Sequence, residues 1–231
     1  MPTAPVLPDE CLFREEEMRR ALDVLEQRRS AILAVTAPNG SERSRFLREL
    51  RKRAGAQSWN VIPSETEAPL RITEITNVAG FMRGLYRTLA PGSGASRIAR
   101  KGSTDIAAVL REKAPVLVLL AEFCPDAAFR DWLSKEFVPT LHSLKEPVVF
   151  VLFDEGAPDS ASLTLADTAI PLDRIDPRLP EQKLKEMCAD VIPPLTDREA
   201  QIYAAAIASD PGLMSNLVRI LQLQTAAKVT D

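Results

Sequence analysis

Residues 34–50 read AVTAPNGSERSRFLREL, and their order decides the architecture. The stretch closes a continuous apolar run, AILAVTAP at 31–38, of the kind that forms a strand buried on both faces. It turns through Pro38, Asn39 and Gly40, then offers Ser41 as a helix N-cap. Phe46, Leu47 and Leu50 follow on one helix face, and Gly55 is the expected stop. A strand, a tight loop and a helix thus succeed one another without a spacer.

The same alternation extends outward along the chain. FREEEMRRALDVLEQRR (13–29) sets Met18, Leu22 and Leu25 at helical spacing between charges. SWNVIPSE (58–65) reads as a second strand, ITEITNVAGFMRGLYRTLA (72–90) as a helix, and PGSGASRIARKGS (91–103) as a surface loop rich in Gly, Ser and basic residues. TDIAAVLREK, with Thr104 as its cap, is a helix running into the most apolar run of the chain, APVLVLLAEF (114–123). A helix over about 125–144, the apolar run PVVFVLFDEG (147–156) and a short strand TAIPL (168–172) complete the series. Near-continuous apolar strands separated by helices predict a parallel sheet covered on both faces. Beyond Leu172 three helices follow with no strand between them, 179–192, 196–209 and 211–229, which predicts a small helical bundle or lid. The expected organisation is an N-terminal segment with its amphipathic helix (1–30), an α/β core (31–172) and a lid (173–231).

Composition narrows the function classes. In 231 residues, 45 % are hydrophobic, 26 % are charged and the net charge is −3, so the chain has material for a sizeable core and no bulk attraction to nucleic acid. No window reaches the ~18 apolar residues of a membrane span, and MPTAPVLPDECLF lacks the basic-then-apolar order of a secretory signal, so a cytoplasmic location without disulfides is expected. Cys11, Cys124, Cys188 and the single histidine, His142, are scattered without metal-ligand spacing, and His142 reads as an ordinary helix-end residue. No metal site is expected.

The loop at 37–44 sits where a phosphate-binding loop of the form GxxxxGK[ST] would lie. That loop works because glycines admit the backbone to the phosphates, amides at the helix N-terminus face the anion, the Lys reaches the terminal phosphates and the hydroxyl holds magnesium. Here Ala37 stands for the first glycine, Glu42 for the second, Arg43 for the lysine and Ser44 for the hydroxyl. Glu42 brings a carboxylate toward a polyanion, and the planar fork of Arg43 does not fit where a lysine lies along the phosphates. Gly40, Ser41 and the helix terminus leave room for weak ATP or ADP binding; no cofactor is expected to be held tightly. The run VLVLLAEF should end in Asp-Glu, the Asp orienting magnesium and the Glu activating water. It ends in Ala121-Glu122, so a vestigial base remains without its metal carboxylate. An alternative catalytic pair is Asp154-Glu155 at the end of the next strand.

These residues resemble the AAA+ and STAND class of P-loop ATPases. FREEEMRRAL is similar to the F-x-G-R-E-x-E-L stretch that precedes the core in many STAND proteins, without its glycine. AVTAPNGSERSRFLREL is similar to their GxxGxGKSRLLREL, VLVLLAEF to their Asp-Glu strand and SDPGLMSNLVRIL to their SGGNPRLLLRLL lid segment, with Met214 or Ser215 where an arginine often meets phosphate. The resemblance implies a three-layer core with strand order 5-1-4-3-2, a helical lid and function through nucleotide-controlled assembly, of which only the use as an interaction scaffold is expected to carry over.

The expected function is a catalytically inactive, pseudo-ATPase module for protein interaction or self-assembly, in signalling or a bacterial defence-type system. The alternative is an atypical ATP-binding ATPase that uses Arg43, Ser44 and Glu122 with an arginine supplied in trans, including the transposition type that associates with nucleic acid. For nucleic acid, the contact residues would be Arg43, Arg45, Arg48, Arg51, Lys52 and Arg53 with Arg97, Arg100 and Lys101; the same charges also fit a solvated helix face. The apolar positions Ile202, Ile207, Leu213, Leu217, Ile220 and Leu221 are expected in the lid core, an exposed part being free to meet a partner, and Trp59 and Trp132 in packing.

Overall fold

A computed structural model describes residues 14–37, 43–63, 70–71, 77–89, 103–121, 126–154, 161–172, 176, 178–188, 195–209, 213–214, 216–217 and 220–221. The strands are β1 (Ala31–Thr36), β2 (Asn60–Ile62), β3 (Leu70–Arg71), β4 (Val116–Ala121), β5 (Val148–Asp154) and β6 (Thr168–Pro171). All pairings are parallel, in the order β2-β4-β5-β1-β6, with the short β3 also paired to β4 beyond β2. Because β2 and β3 occupy one edge position, the sheet has five positions in the order 2-3-4-1-5. This is the expected 5-1-4-3-2 read from the other edge.

The strand interiors explain why this sheet is buried on both sides. Side chains alternate across a strand, and here both alternating sets are apolar. Ile32, Val116, Val118, Leu120, Val148, Phe150 and Leu152 enter one core. Leu33, Val35, Leu117, Leu119, Val149, Val151, Phe153 and Ile170 enter the other. The second core is covered by α1 (Glu15–Glu26) through Met18, Ala21, Val24 and Leu25, and by α2 (Arg43–Ala56) through Phe46, Leu47, Leu50 and Ala54.

On the first side lie α3 (Val78–Leu89), α4 (Ser103–Lys113) and a continuous helical stretch made of α5 (Ala127–Trp132), a π turn (Leu133–Phe137) and α6 (Val138–His142). Asp126 caps α5 by accepting from the Phe129 amide at 2.7 Å. The π turn was not legible in the sequence, since apolar spacing specifies a helical face but not the single extra residue that widens a turn. Phe137 packs edge-on to Phe81 at 5.3 Å and to Phe150 at 5.2 Å. A small apolar void remains beneath the π turn, between Leu133, Phe137 and Phe150.

Several boundaries differ from the sequence reading. Gly55 does not stop α2: the helix runs to Ala56, and Ser58 takes the left-handed conformation with φ 64°. The Ser58 amide donates to Gly55 O and the Trp59 amide to Ala54 O, both at 3.0 Å, which satisfies the last carbonyls in a Schellman arrangement. Thr104 is not a cap, because α4 already begins at Ser103. Strand two is shorter than SWNVIPSE, spanning 60–62 and followed by Pro63, which has no amide to donate. A helix, α7 (Ala161–Leu165), occupies a stretch with no predicted element.

Beyond the sheet come α8 (Arg178–Met187) and α9 (Asp197–Ser209), with further helical residues at 213–214, 216–217 and 220–221. Their buried contacts form a separate cluster of Leu184, Cys188, Ile207, Met214 and Leu221. Ile207 and Leu221 are in that core and Leu217 packs partly against it, but Ile202, Leu213 and Ile220 are exposed, against expectation. A helix turns through 100° per residue, so an apolar run longer than one face necessarily places some members outside.

Candidate functional site

The ends of β1, β4 and β5 define one rim of the sheet. Thr36, the last residue of β1, is in register with Asp154 on β5 and with Pro171 on β6; Ala121, the last of β4, is level with Phe153. In open α/β sheets, ligands bind outside the carboxyl ends of strands where the order reverses. β1 satisfies that condition, because the chain leaves it toward β2 at the far edge and returns through β4 and β5 to its side.

The strand and the helix on either side of the candidate loop, β1 and α2, are therefore in place. Ala37 follows β1 and is buried, at 2 % exposure, among the residues of the α1–α2 core. Arg43 and Ser44 are the first two residues of α2. Gly40, Ser41 and Glu42 lie outside the described residues, as do Glu122 and Glu155. The first turn of α2 carries Arg43 and Arg45 and no acidic residue. Cations at a helix N-terminus oppose its partial positive charge, an arrangement favoured by an anion nearby.

The rest of α2 corrects the basic-patch expectation. Glu49 is buried at 5 % exposure and its Oε1 accepts from Arg53 Nε at 2.6 Å. Arg51 is buried as well, at 9 %. Only Arg48 and Lys52 project as exposed cations among the described side chains of this helix, so the six arginines and lysines do not share one solvent face. Arg97, Arg100 and Lys101 lie outside the described residues. Spacing at i and i+4 could have announced the Glu49–Arg53 pair.

Met214 is fully buried in the C-terminal cluster, so this position is a packing residue of the helices; Ser215 lies outside the described residues. Trp59 and Trp132 are packing residues as expected: Trp59 is buried with the Arg28 guanidinium 5.3 Å from its ring centroid, and Trp132 lies between Phe129 and Phe137. His142 ends α6, and its Nε2 lies 3.0 Å from Asp167 Oδ2. The same carboxylate oxygen accepts from the Ile32 amide at 2.8 Å. Sequence reasoning missed Asp167, because its partners are 25 and 135 residues away and no local spacing signals them. Among the described residues, no group of three or more His, Cys, Asp or Glu could hold a metal ion, and no helix is long and apolar enough to cross a membrane.

No protein-family model matches the chain, and no curated protein matches it. Solved structures do. A structure of Drosophila ORC bound to DNA superposes with a TM-score of 0.53 at 16 % identity, over 98 % of this chain and 62 % of that one. Domain III of the Thermotoga maritima replication initiation protein DnaA gives 0.50 at 13 % identity, over 99 % and 93 %. An arginine-to-alanine mutant of T. maritima RuvB gives 0.50 at 13 % identity, over 92 % and 63 %. The chain spans 59 % of the first RuvB structure it matches, or about three fifths of that protein's length. With the sheet order, these likenesses define the class of fold: the chain has the three-layer α/β architecture of AAA+ P-loop domains.

Proposed function

We propose that this chain is a catalytically inactive, NTPase-like domain that serves as a protein-interaction or self-assembly module, in a signalling or bacterial defence-type system. One observation carries the reading. β4 reaches the rim with Ala121, level with Phe153, where phosphoryl transfer needs a carboxylate to orient magnesium. A methyl group cannot do that, and in the sequence that follows β1, Glu42 and Arg43 stand where a phosphate loop has glycine and lysine. Glu122 is then a vestigial base, and Ala37, Gly40, Ser41, Glu42, Arg43 and Ser44 a vestigial loop.

A second reading is favoured by the first turn of α2, with two arginines and no acid: an anion, weakly held ATP or ADP, sits at that helix end. Thermal unfolding with and without millimolar ATP, ADP and GTP, each with and without magnesium, separates the two. A nucleotide at 100 times its Kd adds about 2.7 kcal/mol to native stability, a rise of several degrees. The inactive reading expects no rise with any nucleotide. A rise that vanishes without magnesium overturns it in favour of an atypical ATPase. A rise independent of magnesium supports the weak anion site alone. Substituting Glu42→Gly together with Arg43→Lys then asks whether a closed pocket or a repaired loop lies beneath.

A further inference from the structure

Among the described residues β6 is the last strand on its side of the sheet, and such an edge offers backbone groups to any strand that approaches. Which groups point outward follows from the ladder. The Leu172 amide donates to Thr36 O at 2.7 Å, so Leu172 faces β1. Backbone direction alternates along a strand, so Ile170 and Thr168 also face β1, while Ala169 and Pro171 face out. Neither outward position offers both a donor and an acceptor for pairing. The Ala169 carbonyl accepts from Arg20 Nη2 of α1 at 2.7 Å, across 149 residues of sequence. Pro171 has no amide hydrogen to offer.

We infer that Arg20 and Pro171 together close the β6 edge against pairing with a second copy of this chain. The acceptor at Ala169 is already engaged and the donor at residue 171 is missing, so an incoming strand finds the alternating donor–acceptor row broken at consecutive outward positions. Helix α1 has a second role besides covering the core: its half-buried Arg20 reaches over the sheet margin, while the neighbouring Arg19 is engaged by the exposed carboxylates of Glu16 and Asp23. The partner of an opened edge is the same edge of another copy, paired antiparallel about a two-fold axis, because that arrangement satisfies both copies equally. This inference is independent of whether the rim binds nucleotide.

The test is sedimentation velocity over a range of protein concentrations on the wild type, Arg20→Ala, Pro171→Val, the double variant and the control Arg19→Ala. The double variant is expected to associate about tenfold more tightly than the wild type, with each single variant in between and Arg19→Ala unchanged. Amide hydrogen exchange on the wild type supplies a readout that does not depend on any variant folding. The outward Ala169 amide should exchange quickly, and the Ile170 and Leu172 amides slowly. In the double variant, Ala169 should become protected as concentration rises, which places the new contact at β6. A double variant that is folded and associates no more than the wild type overturns the inference. So does a wild-type Ala169 amide as protected as that of Ile170, since the edge would then already be paired.

Discussion

The sheet core and the C-terminal helices are held by different kinds of contact. In the core, β1, β4 and β5 are apolar on both faces and the large side chains Phe81, Phe129, Phe150 and Phe153 are fully buried. Around α8 and α9 the buried cluster among the described residues is Leu184, Cys188, Ile207, Met214 and Leu221, and polar contacts join the helices as well. Lys185 Nζ lies 2.9 Å from Glu181 on its own helix and 2.9 Å from Asp197 at the start of α9. Thr196 and Glu199 cap α9 reciprocally: the Thr196 amide donates to Glu199 Oε2 at 2.9 Å, and the Glu199 amide to Thr196 Oγ1 at 3.3 Å. Burial scales with area and is indifferent to pH, whereas ion pairs and charged caps depend on protonation. The two regions should therefore fail under different stresses.

The largest expected effect is in the core. Phe150→Ala removes a ring packed edge-on against Phe137 at the centre of the sheet. It should cost about 3–5 kcal/mol and lower the whole denaturant transition, read by Trp132 emission. A loss below about 1 kcal/mol would mean the aromatic core is not the main source of stability.

Leu184→Ala acts on the small cluster instead. Its cost should fall within the usual range of about 2–5 kcal/mol for a buried leucine. Hydrogen exchange should show α8 and α9 losing protection while β5 keeps its own. Equal loss in β5 would join the two regions into one cooperative unit.

Acid gives the mildest separation. The hydrogen bond and charge of Lys185 hold Asp197 below its ordinary value of 3.8, and the Thr196 hydroxyl and then its amide hold Glu199 below 4.5. Groups with depressed folded pKa stabilise fully above their ordinary values and lose that contribution as pH falls through the folded ones. Loosening should thus begin near pH 4.5 and continue below 3.8. Lys185 is shifted upward, first by Asp197 and then by Glu181, so its own protonation is safe throughout this window. In an acid titration the NMR signals of Tyr203, which packs on the C-terminal cluster, should move at higher pH than the emission of Trp59 and Trp132 in the core. Coincident transitions would remove the distinction.

What the sequence determined by itself was the sheet. Apolar runs such as VLVLLA and VVFVLF have only one way to hide both sets of alternating side chains, between two layers of helices, and the succession of strand and helix then makes the strands parallel. The letters at which residues 37–44 depart from a phosphate-binding loop, Ala37, Glu42 and Arg43, and the Ala121-Glu122 pair stand in consecutive residues, and the proposal of an inactive domain rests on reading them there. Only the tertiary structure decided what depends on residues far apart in the chain. It buried Arg51 and put Met214 in a packing cluster. It pinned Asp167 to the start of β1 and set Arg20 against Ala169 at the sheet margin. The π turn and the left-handed Ser58 belong with these, since a backbone adopts such geometries when surrounding contacts demand them and not because a local residue prefers them.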